Sequence, residues 1–162
     1  MSSKFLENNK IINALPPKSH ASGADGNSDF ISMKNYQHAT FIVTTGASST
    51  SNSVITMMAD TEVGGSSASA IAFQYRENLL TADGFTALQD ATTTGFAMTA
   101  SKANSVYVIE VDAAELLAAG QAYDCIYLDL TANVSDAQVL GVTVILSNPK
   151  YASENLPSAI VD

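Results

Sequence analysis

Two histidines, one cysteine and one arginine are the residues of this 162-residue chain best equipped for chemistry, and their positions limit what that chemistry can be. A Ser or Cys nucleophile needs a base within hydrogen-bond reach. The only imidazoles are His20, in a polar N-terminal stretch, and His38, at the entrance to a strand; no catalytic role is expected for either. Zinc takes four Cys or His ligands, or three plus water, and Cys125, His20 and His38 stand too far apart in sequence to suggest such a set. Phosphate-cradling Gly-x-x-x-x-Gly-Lys loops, Gly-x-Gly-x-x-Gly turns and Gly-x-Ser-x-Gly elbows do not occur. The string Asp25-Gly26-Asn27-Ser28-Asp29 has the alternating oxygens of a calcium loop, but Phe30 holds the sixth position and Tyr36 the twelfth, where Gly and a bidentate Glu belong. It reads as a polar turn. Asp124 and Asp129 are five apart, hence on opposite faces of a strand, and do not converge on one bond. No enzyme, cofactor or metal site is expected.

Arg76, the sole arginine, follows Tyr75 near a strand end. It suits either a solvated terminus or an ion pair across a subunit boundary. Asn133-Val134-Ser135 matches a glycosylation sequon, which carries no weight because the first ten residues contain no continuous apolar leader.

Sixteen acids against seven bases give a formal charge of −9. That balance argues against nucleic-acid binding through a basic face and against attachment to anionic lipid. The longest unbroken apolar stretch, near Val139 to Leu146, falls far short of the roughly 20 residues of a spanning helix. A lone Cys125 has no disulfide partner in its own chain. Placed within an apolar alternation, it reads as a buried, inert thiol, which suits a reducing cytoplasm.

The elements behind these residues are mostly strands. From Phe30 onward the dominant period is two: Ile71, Phe73 and Tyr75 share one face, Ala70, Ala72, Gln74 and Arg76 the other, and Ile126, Leu128 and Leu130 oppose Cys125, Tyr127 and Asp129. Segments 40–44, 54–59, 106–111 and 140–146 are dense in Val, Ile and Thr. Turn-forming clusters lie between them at 46–49, 64–67 and 82–84. One short α-helix is expected at about 112–119, with Asp112 and Glu115 as a capping box, Leu116 and Leu117 as its apolar face and Gly120 beyond its end. The fold class is therefore all-β: an antiparallel β-sandwich, jelly-roll-like, with one short helix.

Three regions are expected: an extended N-terminal arm over 1–29, the β-sandwich over 30–147 and a C-terminal tail over 148–162. Within the arm, Ile11, Ile12, Leu15 and the Pro16-Pro17 pair form an apolar, extended cluster suited to docking on a neighbour. Removal of the residues before Phe30 is expected to leave a folded domain. The low charge of 14% and the abundance of Ala, Ser and Thr also suit close, flat contacts that immobilise little side-chain freedom.

Four strings carry a resemblance: Asp29-Phe30-Ile31-Ser32-Met33-Lys34-Asn35-Tyr36, Ala70-Ile71-Ala72-Phe73-Gln74-Tyr75-Arg76, Val108-Ile109-Glu110-Val111-Asp112-Ala113-Ala114-Glu115-Leu116 followed by Tyr123-Asp124-Cys125-Ile126, and Ile145-Leu146-Ser147-Asn148-Pro149-Lys150-Tyr151-Ala152. Over roughly Leu15 to Ala152 the chain resembles a family of small structural proteins of tailed bacteriophages. It departs from that family at Glu62-Val63-Gly64-Gly65-Ser66, where an Asp-Val-Ser-Gly-Thr turn is usual. The resemblance implies a virion structural protein: a capsid decoration, or cement, protein on the capsid exterior, assembled in the host cytoplasm. Its implied partners are the major capsid protein and further copies of itself, as a homotrimer. The alternatives are a tail or head-tail connector component of the virion, and a carbohydrate-binding or adhesive β-sandwich module. The last is disfavoured by the absence of Trp and an aromatic content of 7%, mostly at strand positions expected to face inward.

Overall fold

The computed structural model describes residues 4–20, 26–46, 53–64, 66–79, 83–99, 103–119, 122–131, 138–151 and 156–160. Among them a four-residue helix α1 (Phe5–Asn8) leads into strand β1 (Asn9–His20). The strands β2 (Gly26–Asn27), β3 (Ile31–Ser32), β4 (Tyr36–Thr45), β5 (Val54–Asp60), β6 (Ser69–Ile71), β7 (Phe73–Asn78), β8 (Gln89–Ala91), β9 (Phe96–Ala97) and β10 (Val106–Asp112) follow. Helix α2 (Ala113–Ala118) then leads to β11 (Cys125–Thr131) and β12 (Gln138–Pro149).

Two sheets result. The first has the order β1-β12-β4-β10-β7-β8 and the second β2-β11-β5-β6, with β3 also on β11 and β9 also on β5. The pairing is nested: β1 with β12, β2 and β3 with β11, β4 with β10, β5 with β6, all antiparallel. A chain doubled back on itself and wound into two sheets in this way has jelly-roll topology, so the expected all-β sandwich with a short helix is what forms. The segment 70–76 crosses from one sheet to the other at Ala72, with β6 in the second sheet and β7 in the first. Alternation survives the corner, and Ile71 and Phe73 both stay buried.

The core lies between the sheets. Phe41, Val43, Ile109, Val142 and Val144 from the first meet Ile55, Met57, Ile126, Leu128 and Leu130 from the second, all at 1% exposure or less. Full burial of each such side chain stabilises by about 1.5–3 kcal/mol relative to exposure. Tyr127, on the other face of β11, is buried as well, because the Phe30 ring packs on it with centroids 4.3 Å apart. The segment before β3 holds that position: Ser28 N–H donates to the Leu128 carbonyl at 2.9 Å and Leu128 N–H to the Ser28 hydroxyl at 3.0 Å.

The sandwich extends beyond the 30–147 expected from sequence. Residues 9–20 are not an arm. They form β1, paired with β12 from Asn9↔Ser147 to His20↔Gln138, and they bury Ile12, Ala14 and Leu15 in this chain's own core. The cluster that looked free to dock elsewhere is used at home, because β12 would otherwise leave one edge and its apolar face uncovered. The tail is corrected for the same reason. Strand β12 runs to Pro149, Ala159 is fully buried and accepts a bond from Ser32 N–H at 2.8 Å, and the Tyr36 hydroxyl donates to the Pro157 carbonyl at 2.7 Å.

Helix α2 begins as expected, with Asp112 N–H donating to the Glu115 carboxylate at 2.9 Å. Its apolar face is narrower than expected: Leu116 is buried while Leu117 is 67% exposed. Successive helix residues are rotated by about 100°, so when Leu116 faces the sandwich Leu117 turns to solvent. Gly120 lies outside the described residues.

Candidate functional site

The outer face of the first sheet gathers most of the side chains that could do chemistry. One row across it reads Ile11, Ile145, Thr40, Glu110, Gln74 and Asp90, each opposite the next on successive strands. Beside it, His38 on β4 stands opposite Asp112 on β10. The His38 Nδ1 lies 2.7 Å from Asp112 Oδ1, and its Nε2 lies 3.3 Å from Thr40 Oγ1 and 3.5 Å from Glu110 Oε1. A shallow depression of about 200 Å³ adjoins the cluster, with Arg76 and Leu88 on its far wall.

The order Asp112, His38, Thr40 has the connectivity of a carboxylate, imidazole and hydroxyl relay. Two features set it apart from a nucleophilic centre. The flanking backbone of β4 is committed on both sides to ladders with β12 and β10, so its N–H groups are not aimed at a developing oxyanion. Glu110 also competes with Thr40 for Nε2. With Nδ1–H donating to Asp112, neutral His38 can accept from Thr40; as imidazolium it donates to both carboxylates. What this geometry does is fasten β4 to β10 and hold the start of α2.

Arg76 lies within β7, not at a strand end, and donates from Nη1 to the Thr86 carbonyl at 3.2 Å, bracing the β7–β8 hairpin. Cys125 is 1% exposed and its thiol donates to Asp124 Oδ1 at 3.2 Å. Burial first, then the Asp124 carboxylate, pushes that thiol up to about 12, as an inert thiol requires.

The proposed docking residues separate. Ile12 and Leu15 are spent on the core, Ile11 is 50% exposed on the outer face, and Pro16 and Pro17 are exposed on β1 with Pro17 against Gly141. His20 is buried at the end of β1, its ring laid over Gly26. Of the calcium-like string, Asp25 lies outside the described residues, while Gly26 and Asn27 pair with Leu130 and Asp129 on β11. Among the described residues, no group of three or more His, Cys, Asp or Glu gathers to hold a metal ion. The sequon at 133–135 also lies outside them.

Two wider hollows, of about 560 and 420 Å³, run along the corner at Ala72 and share Thr93 and Glu115. Their linings mix small side chains with Ile71, Phe73, Gln74, Asp90, Glu115 and Tyr123, and both are open to solvent. Sequence reasoning did not single out the exposed apolar residues Phe5, Leu6, Phe85 and Leu88; their flanks lack strand periodicity, which was the only signal for placing side chains. Among the described residues, no helix is long and apolar enough to cross a membrane.

Comparison with family models, with curated proteins and with solved structures finds no match to this chain.

Proposed function

We propose that this protein is a virion structural protein, a decoration or cement protein that binds the major capsid protein on the exterior of a phage head and associates with its own copies as a trimer. One observation carries the reading: the outer face of the six-stranded sheet presents Thr40, Ile42, Val106, Val108, Thr143 and Ile145 half-buried and side by side. Such a face is short-chained, with Glu110 opposite Thr40 and Arg76 opposite Val108 as neighbouring charges. Covering it costs little side-chain entropy and releases water from β-branched surface. The resemblance of the four strings to phage structural proteins supports the same reading, as does a jelly-roll topology, which recurs in viral shells; that support is by analogy of fold alone. On a shell pressed outward by packaged genome, a small domain seated over a seam resists opening by the area it buries on both sides.

Heads that lack this protein, incubated with it and sedimented, test the reading. Saturable co-sedimentation and a higher temperature of genome release are expected. Binding to tails alone, or none to heads, would overturn it.

A further inference from the structure

We propose that copies of this chain associate head to tail through the two edges of the six-stranded sheet, the β1 edge of one copy seated on the β7–β8 edge of the next. The inference rests on the self-association in the reading above and names its surface. Charge is segregated across the sheet. Residues 4–20 hold Lys4, Lys10 and Lys18 against the single acid Glu7, three of the seven bases and one of the sixteen acids in the chain. β12 carries no charged residue. At the opposite edge, Glu77, Asp83 and Asp90 occupy the β7–β8 hairpin, with Glu110 on the adjoining β10 and only Arg76 to offset them.

Among the described residues, five of the eight large apolar side chains that are exposed lie at these two edges; Leu117, Val139 and Tyr151 lie elsewhere. Phe5, Leu6 and Ile11 are 55%, 65% and 50% exposed on the β1 side, and Phe85 and Leu88 are 48% and 46% exposed on the hairpin. The β1 edge is guarded only along its second half, where Pro16-Pro17 and two register shifts break the ladder. From Asn9 to Asn13 the register is continuous, and the lysine there is turned inward, Lys10 Nζ donating to the Pro157 carbonyl at 2.8 Å. Ile11 and Asp90 end one cross-strand row, about 24 Å apart by five strand spacings, so an added copy at either edge continues that row.

A two-fold contact would set lysines against lysines or acids against acids. Head-to-tail pairing sets the basic edge on the acidic one. Such a heterologous contact closes into a ring where its rotation allows, and a trimer is the smallest such ring. Screening over about 10 Å at 0.1 M salt removes most of the repulsion between distant acids while leaving the contact pairs in force.

Sedimentation velocity of the full chain at micromolar concentration and 0.1 M salt is the test, with circular dichroism as the folding control. The parent forms oligomers. K4E/K18E and D83K/D90K, all at exposed positions, each weaken association by about tenfold or more. The quadruple variant, in which both edges are reversed, associates again; an equimolar mixture of the two double variants also associates, but only into open or even-numbered assemblies, because two alternating variants cannot close an odd ring. A parent that stays monomeric, oligomers indifferent to either reversal, or failure of both the mixture and the quadruple variant to recover would overturn the proposal. None of these outcomes bears on binding to heads, which the co-sedimentation reads separately.

Discussion

His38 on β4 and Asp112 on β10 stand directly opposite in the ladder, and their side chains meet at 2.7 Å on the outer face of the sheet. Asp112 is also the N-cap of α2, where its backbone N–H donates to the Glu115 carboxylate, so the residue whose side chain ties two strands also opens the helix. Asp112→Ala is expected to lower stability by about 1–2 kcal/mol, from the loss of a preferred N-cap residue and of its exposed hydrogen bond to His38. His38→Ala should cost less, about 0.5–1 kcal/mol. Urea unfolding of both variants checks the order; equal losses would mean the cap contributes nothing.

Gly26 has its own partner in His20. A Cβ on residue 26 would overlap the His20 ring, so Gly26→Ala forces that buried imidazole aside. A loss of about 2 kcal/mol or more is expected. In the His20→Ala background the same change should cost under half as much, since the clash is gone. Additive losses would contradict the contact.

Alkaline pH should weaken the fold. The Cys125 thiol is pushed up from 9.0 to about 12, and burial raises Tyr36, Tyr75, Tyr107 and Tyr127 above the ordinary 10.0. Because these groups hold their protons more tightly when folded, the stability they contribute is complete below the unfolded values and is lost as pH climbs toward the folded ones. The melting temperature should therefore fall progressively above about pH 9. Cys125→Ala should flatten the first part of that fall, and a profile unchanged in this variant would count against the buried thiol.

Deletion now has a sharper expectation than the sequence offered. Without residues 1–20 the chain loses Ile12, Ala14 and Leu15 from its core and uncovers the edge of β12. Circular dichroism should show an unfolded or aggregated product. Removal of residues 1–8 should leave the fold intact, because α1 buries none of its residues.

The sandwich was legible because alternation is a local signal. Ile126, Leu128 and Leu130, or Phe41 and Val43, announce one buried face whatever their partners are. The fate of Ile12 and Leu15 was not legible. Their strand is interrupted by Pro16-Pro17, and the residues they pair with, Val144 and Val142, lie more than 120 residues away, where no local pattern reveals them. Leu117 misled for a related reason: a short helix is placed by what covers it, and its own sequence carries no record of that cover. The His38 cluster arises from register, which brings residues 38, 110 and 112 together across two strands. Spacing along the chain could only show that each was present.

Electron microscopy of purified particles tests the central claim most directly. Density for a small two-sheet domain, repeated over the outer surface of the head at capsomer junctions, is the expected result. Particles whose heads are bare of it, or whose copies ring only the tail, would contradict the account.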